Sequence, residues 1–241
     1  MLQTSRGIVL QQIKYSETAL IVKIYTAGAG LKSFMIHGAR KKNAKIRSIH
    51  LQHLSLVEIV FNNRDNAGLQ HLRELSPVCS FTGIPFDIRK SSVALFINEL
   101  ILKSVREEEP NQHLFDFLFH SIQLLDTTND NTANFHLLFA VKLSRYLGFY
   151  PSGEYSETTP LFNLGEGVFC SLNSQPESSL DGISAKHLNM LIHCDYSSFG
   201  TLNIGKNQRQ ELLAGIVSYY KMHIAGFGEM KSLSVLTEVM S

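Results

Sequence analysis

Near residue 80 the spacing of apolar residues changes, and the sign of the charge changes with it. Up to that point the apolar runs are short and rich in β-branched residues: Gly7–Ile13, Ala19–Tyr25, Ser33–His37, Leu54–Phe61 and Leu69–Leu75. Each has the length of a strand, and turn-forming residues separate most of them, as in Thr26-Ala-Gly-Ala-Gly30 and Asn62-Asn-Arg-Asp-Asn-Ala-Gly68. In Leu20–Tyr25 and Leu54–Phe61 both faces are largely apolar, which suits a small closed barrel better than a sheet with one wet side. Five short strands in this length is the count of an OB-fold, a common scaffold for single-stranded nucleic acid. An SH3-like barrel fits almost as well.

After Pro85 the period becomes helical. Asp87 or Ser91 can open a helix carrying Val93, Phe96, Ile97, Leu100, Ile101 and Val105, and Glu107-Glu-Glu-Pro110 is expected to end it as an exposed acidic terminus. Gln112–Leu125 and Asn134–Phe149 follow, the second apolar on most sides and therefore expected to be buried. Residues 150–181 read as irregular, with a short hairpin at Leu161–Leu172. Helices resume at Ser184–Cys194, Lys206–Ile224 and Ser232–Val239. The expected architecture is a five-stranded OB-fold barrel over residues 1–80, then an α-helical domain over 81–241 with an irregular insert at about 150–181.

Charge supports the same division. Residues 1–80 hold eleven Lys/Arg against four Asp/Glu, a net +7, whereas residues 81–241 hold eleven against seventeen, a net −6. A basic module joined to an acidic one is a candidate polyanion binder, a feature hidden by the overall net charge of +1. The basic residues concentrate in His37-Gly-Ala-Arg-Lys-Lys-Asn-Ala-Lys-Ile-Arg47, where five of eleven residues are cationic and none acidic. A solvated loop that keeps the domain soluble is the plainer explanation of that run. No apolar stretch approaches the roughly 20 residues of a membrane span, and the opening segment does not read as a secretory signal. Three scattered cysteines, Cys79, Cys170 and Cys194, fit a reducing cytoplasm rather than a disulfide framework.

Signatures of bond chemistry are missing. Gly28-Ala-Gly30 lacks the third glycine of a dinucleotide fingerprint, Ser33 standing there instead, and no P-loop is present, so a hairpin turn is expected. No Cys-x-x-Cys exists, and His187, His193 with Cys194, and the His50/His53 pair lack the spacing of a zinc site. No nucleophile elbow or paired acidic motif is found. Aromatic residues near the expected strands, Tyr15, Tyr25, Phe34 and Phe61, could stack bases, although most are expected to fill the barrel.

The chain resembles the bacterial recombination mediator family RecO. The likeness is carried by Gly7-Ile-Val-Leu10, Tyr15-Ser-Glu-Thr18, Ile24-Tyr-Thr26, the turn leading to Gly38-Ala-Arg-Lys41, and Leu51-Gln-His53, where the family has proline in the histidine's place. It continues through Ile97-Asn-Glu-Leu100, Glu109-Pro-Asn111, Leu147-Gly-Phe149-Tyr-Pro151 and Tyr219-Tyr-Lys-Met-His223 to Lys231-Ser-Leu-Ser-Val-Leu236. The resemblance implies a non-enzymatic, cytoplasmic, nucleoid-associated DNA repair protein without a cofactor. Such a protein binds single- and double-stranded DNA, anneals complementary strands, binds the acidic tail of single-strand-binding protein (SSB), and acts with RecR and sometimes RecF to load recombinase. DNA contacts carry over most directly to Arg40 and Lys41, then to Lys32 and Lys42, while Lys45 and Arg47 come from the charge pattern alone. Many members hold zinc with four cysteines after the Leu-Gly-x-x-Pro stretch. Only Cys170 remains here, so no metal is expected and the hairpin needs another stabiliser. Lys142 and Arg145 are candidates for gripping the SSB tail, since an acidic, Phe-ended peptide wants cations beside an apolar groove.

Two other functions compete with this one. One is an adaptor whose barrel binds only protein. The other is an enzyme with a site assembled by folding from His37, His50, His53 and Asp65.

Overall fold

The computed structural model describes residues 2–39, 44–63, 68–129 and 132–240. The chain divides into two compact units, one of Met1–Pro85 with Val105–Thr127 and one of Phe86–Ser104 with Thr128–Ser241.

In the first unit β1 (Leu2–Lys14), β2 (Leu20–Thr26), β3 (Gly30–Ile36), β4 (Leu56–Asn62) and β5 (Gln70–Pro77) close into a barrel in the order β1-β2-β3-β5-β4, with β4 paired back onto β1. This is the expected five-stranded OB-type barrel. β1 starts five residues earlier than the apolar pattern suggests because it serves two partners: residues 2–8 pair with β4 and residues 7–14 with β2. A bulge between Val9 and Gln11 allows the strand to bend between them. Val9, Val22, Ile24, Val57 and Ile59 fill the interior, and Phe34 meets Phe61 edge to face with ring centroids 5.1 Å apart. The seam between β3 and β5 is parallel and short, pairing Phe34 with Gln70 and Met35 with His71.

α1 (Ile88–Ser104) belongs to the second unit, and α2 (Gln112–Thr127) returns to the first. The stripe of α2 read from the sequence, Leu114, Phe115, Leu118, Phe119, Ile122 and Leu125, is wholly buried. Phe115 lies against Tyr25, centroids 6.2 Å apart. The Arg6 guanidinium sits over the rings of Phe115 and Phe119, 5.5 and 5.1 Å from their centroids, and 3.5 Å from the Asp116 carboxylate. At the far end of α2, Asp126 accepts hydrogen bonds from the backbone amides of Thr82, Gly83 and Ile84 at 2.9, 2.8 and 2.8 Å, which ties down the end of the barrel segment.

The acidic run Glu107–Glu109 is not a helix end. α1 stops at Ser104, and the following segment has no regular secondary structure; its Glu107 carbonyl accepts the Leu31 amide at 2.8 Å. That bond satisfies a donor on β3, and it draws the chain close to Gly30. Gly30 has φ +64, and a Cβ there would stand 2.5 and 2.7 Å from the carbonyl oxygens of Glu109 and Glu107.

The second unit combines α1 with α3 (Phe135–Tyr146), a small sheet of β6 (Leu161–Asn163), β7 (Val168–Cys170) and β8 (Ser179–Leu180), then α4 (Gly182–His193), α5 (Lys206–His223) and α6 (Ser232–Val239). Asp87 starts α1 by accepting the amides of Arg89 and Lys90. Glu99 of α1 accepts the amides of Lys231 and Ser232 at the start of α6. Burial alone would raise the Glu99 carboxyl, but these bonds, the Ser232 side chain and Lys103 outweigh it and hold it below its ordinary value. Residues 150–181 are more ordered than expected: the anticipated hairpin gains a third strand, in the order β7-β6-β8. Its residues do not fit a zinc ion. Cys170 is its single cysteine, and among the described residues no group of three or more His, Cys, Asp or Glu could hold a metal. Aromatic packing stabilises the hairpin instead. Phe162 contacts Phe169 and Tyr219, Tyr219 donates its hydroxyl hydrogen bond to the Phe149 carbonyl, and a His223 ring nitrogen lies 2.9 Å from the Leu164 carbonyl. Among the described residues no helix is long and apolar enough to cross a membrane.

Two consequences for stability follow from this packing. Gly30→Ala forces a side chain into a left-handed backbone and against two carbonyls, so chemical denaturation is expected to show a loss of about 2 kcal/mol or more. His136 of α3 is fully buried against Phe96 with its Nδ1 unpartnered, and burial, helped by Arg209, pushes its pKa from 6.5 down to about 3. The unfolded chain therefore takes up a proton that the folded one refuses. Stability from this group is intact above about pH 6.5 and is lost as pH falls toward the folded value. Urea midpoints measured between about pH 7 and pH 4 should decline less steeply in His136→Gln.

Candidate nucleic-acid interface

The basic segment leaves the barrel where β3 meets β5. After Ile36 comes His37, then Gly38 with φ +71, which turns the chain. Ala39 and Ile46 are both buried in the barrel core, so the segment is anchored at each end. Arg40, Lys41 and Lys42, lying between those anchors in sequence, fall outside the described residues.

The remaining cations occupy different settings. Lys45 and Arg47 flank Ile46 and are exposed. Lys45 forms an ion pair of 3.1 Å with Glu74 on β5, both side chains well solvated. Arg47 precedes the 3₁₀ turn Ser48–Leu51, which seals the barrel with Leu51. Lys32 is half-buried on β3 opposite Ile24, in register with Phe34 and Ile36 on the inward-facing side rather than beside the loop cations. The family likeness named Lys32 alongside the loop cations; the period of the strand sets it apart from them.

The aromatic residues sort in the same way. Phe34 and Phe61 pack inside the barrel, and Tyr25 is buried beneath α2, where burial and the nearby Glu107 charge push its hydroxyl pKa upward. Of the four candidates only Tyr15 is exposed, at 63%. A pair that sequence reasoning missed lies beside the basic segment. His37 stacks on His71 of β5, ring centroids 5.9 Å apart and planes 21° from parallel, and both rings are exposed. Only the parallel β3–β5 register brings His71 to His37, and no local sequence signal encodes it. His50 and His53 lie on and just after the 3₁₀ turn, and Asp65 falls outside the described residues.

Lys142 and Arg145 are neighbours on α3 with different roles. Lys142 donates to the Ile192 carbonyl at 3.0 Å, as does the Tyr150 hydroxyl, so both satisfy the C-terminal end of α4. The exposed Arg145 guanidinium lies over the Tyr150 ring, 4.3 Å from its centroid.

An exposed ion pair such as Lys45–Glu74 contributes about 0–1 kcal/mol, so its main effect is on the local field. Glu74→Gln should leave the melting temperature nearly unchanged and raise affinity for a labelled single-stranded oligonucleotide about two- to threefold at low salt, read by anisotropy.

Comparison with known proteins agrees with the two-part architecture. Residues 1–81 match the family described as Recombination protein O N terminal, and residues 85–233 match Recombination protein O C terminal. The chain is 38% identical over 240 residues to the DNA repair protein RecO of Bacteroides fragilis, covering 99% of each. It is 35% identical over 240 residues to that of Christiangramia forsetii, again covering 99% of each, and 33% identical over 241 residues to that of Phocaeicola vulgatus, covering 100% of each. A closed five-stranded barrel joined to a helical part, matched in order by both family halves and aligned end to end with these relatives, places the chain in the RecO family of DNA repair proteins.

Proposed function

We propose that the barrel binds DNA through the basic segment at residues 37–47, and that the protein promotes strand annealing and, with RecR, recombinase loading onto DNA coated by SSB. The observation that carries this reading is the anchored basic segment: Ala39 and Ile46 fix its ends in the barrel core while Lys45 and Arg47 project into solvent. Such cations neutralise backbone phosphates and release condensed counterions, a contribution indifferent to base sequence. Two strands held on one basic surface repel each other less and meet at higher local concentration, which speeds annealing without any bond chemistry. Arg40, Lys41, Lys42, Lys45 and Arg47 are the proposed phosphate contacts, with Lys32 a lesser candidate because of its inward register.

For the helical part we propose engagement with protein partners, including the acidic SSB tail and RecR, and RecF where it takes part. Arg145 is the better of the two tail candidates, because Lys142 already serves the end of α4. Its ring partner Tyr150 offers an apolar surface beside the charge, the combination that an acidic peptide with an aromatic end requires.

The deciding experiment is a salt titration of single-stranded oligonucleotide binding, with wild type and an Arg40→Glu/Lys41→Glu/Lys42→Glu variant. About five phosphate contacts give a slope near −3.5 in log K against log salt, which the variant should flatten. Binding that does not respond to salt in the wild type would remove this reading and leave the protein-only adaptor.

A further inference from the structure

We propose that the stacked imidazoles of His37 and His71 form the base-stacking platform of the barrel, taking the face of an unpaired nucleobase while the adjoining cations hold its phosphates. This rests on the DNA-binding reading above and adds to it the part of the ligand that is recognised. Single-strand binders of this architecture combine a basic track with rings on which bases stack. Here the phenyl and phenol rings are committed to packing: Phe34 and Phe61 fill the interior, and Tyr25 lies under α2. Tyr15, although exposed, belongs to the β1–β2 turn and not to the β3–β5 seam.

The histidines are the rings left at the surface of the seam. Both are exposed, and their planes lie 21° from parallel with centroids 5.9 Å apart, which leaves an outer π face open to a base. Their placement is fixed by backbone: His71 is in register with Met35 across the seam, and His37 is the first residue beyond β3. A phosphate-neutralising group reaches the same strand: Lys45 pairs with Glu74, which stands three residues after His71 on β5. A base and its flanking phosphate could therefore be held together. An imidazole pair accepts any base face without reading sequence, as annealing requires. In a duplex the base faces are already stacked on one another, so the platform favours single strands.

The test is anisotropy binding of a labelled single-stranded oligonucleotide and its duplex at pH 8. Wild type is compared with His37→Ala/His71→Ala and His37→Phe/His71→Phe, each checked for an unchanged melting temperature. The alanine variant should lose about fivefold or more in single-strand affinity, keep its duplex affinity, and keep the wild-type salt slope, because no phosphate contact is removed. The phenylalanine variant should bind single strands at least as well as wild type. Unchanged single-strand binding in the alanine variant, or an equal loss on duplex, overturns the platform while leaving DNA binding by the barrel intact. Failure of the wild type to bind either DNA overturns both.

Discussion

Two residue pairs, Phe34 with Gln70 and Met35 with His71, close the barrel, and the placement of the basic segment depends on them. The other strand neighbours are antiparallel, three of them paired over seven residues and one over five. Parallel neighbours need a long crossover, and here that crossover contains the basic segment, the 3₁₀ turn and β4. The segment therefore leaves the barrel at its narrowest join. Hydrophobic burial of Ala39 and Ile46 fixes its ends, and the stacked histidines mark the same join on the surface.

A second constraint acts on the outside of the barrel. Arg6 reaches from β1 over two phenylalanines of α2 and pairs with Asp116 between them, while Tyr25 packs beneath the same helix. Covering this face with a helix removes Tyr25 from the surface that could meet a ligand. The barrel consequently has one face covered by α2, while Lys45, paired with Glu74 of β5, and Arg47 stand exposed after β3. The Leu31–Glu107 bond extends this arrangement, and Gly30 is the residue that permits it.

The strands and helices were legible because their apolar periods are clear, and the charge division singled out the segment proposed to bind DNA. What escaped reading depended on pairing rather than on local pattern. The first five residues of β1, Leu2 to Arg6, are mostly polar and become a strand because β4 pairs with them. Glu107–Glu109 looked like a helix end because the pattern cannot show that the backbone is required by Leu31. Lys32 was named with the loop cations as a DNA contact from the family likeness, and only its register shows it opposite Ile24. His71 had no signal at all, since its significance comes from a partner thirty-four residues away in sequence. Lys142 and Arg145 were found as cations, but the carbonyl of Ile192 that engages Lys142 lies on another helix.

The small sheet of β6, β7 and β8 carries a consequence for how the protein responds to its surroundings. Phe162, Phe169, Tyr219 and the His223–Leu164 contact hold this sheet together by packing and hydrogen bonding. A metal-pinned fold is lost to a chelator and follows the supply of the ion. A ring-packed one is indifferent to both and instead carries the large heat-capacity signature of apolar burial, weakening toward low temperature. In this chain the order of the small sheet around Phe162, Phe169 and Tyr219 is thus coupled to temperature through the packing of rings.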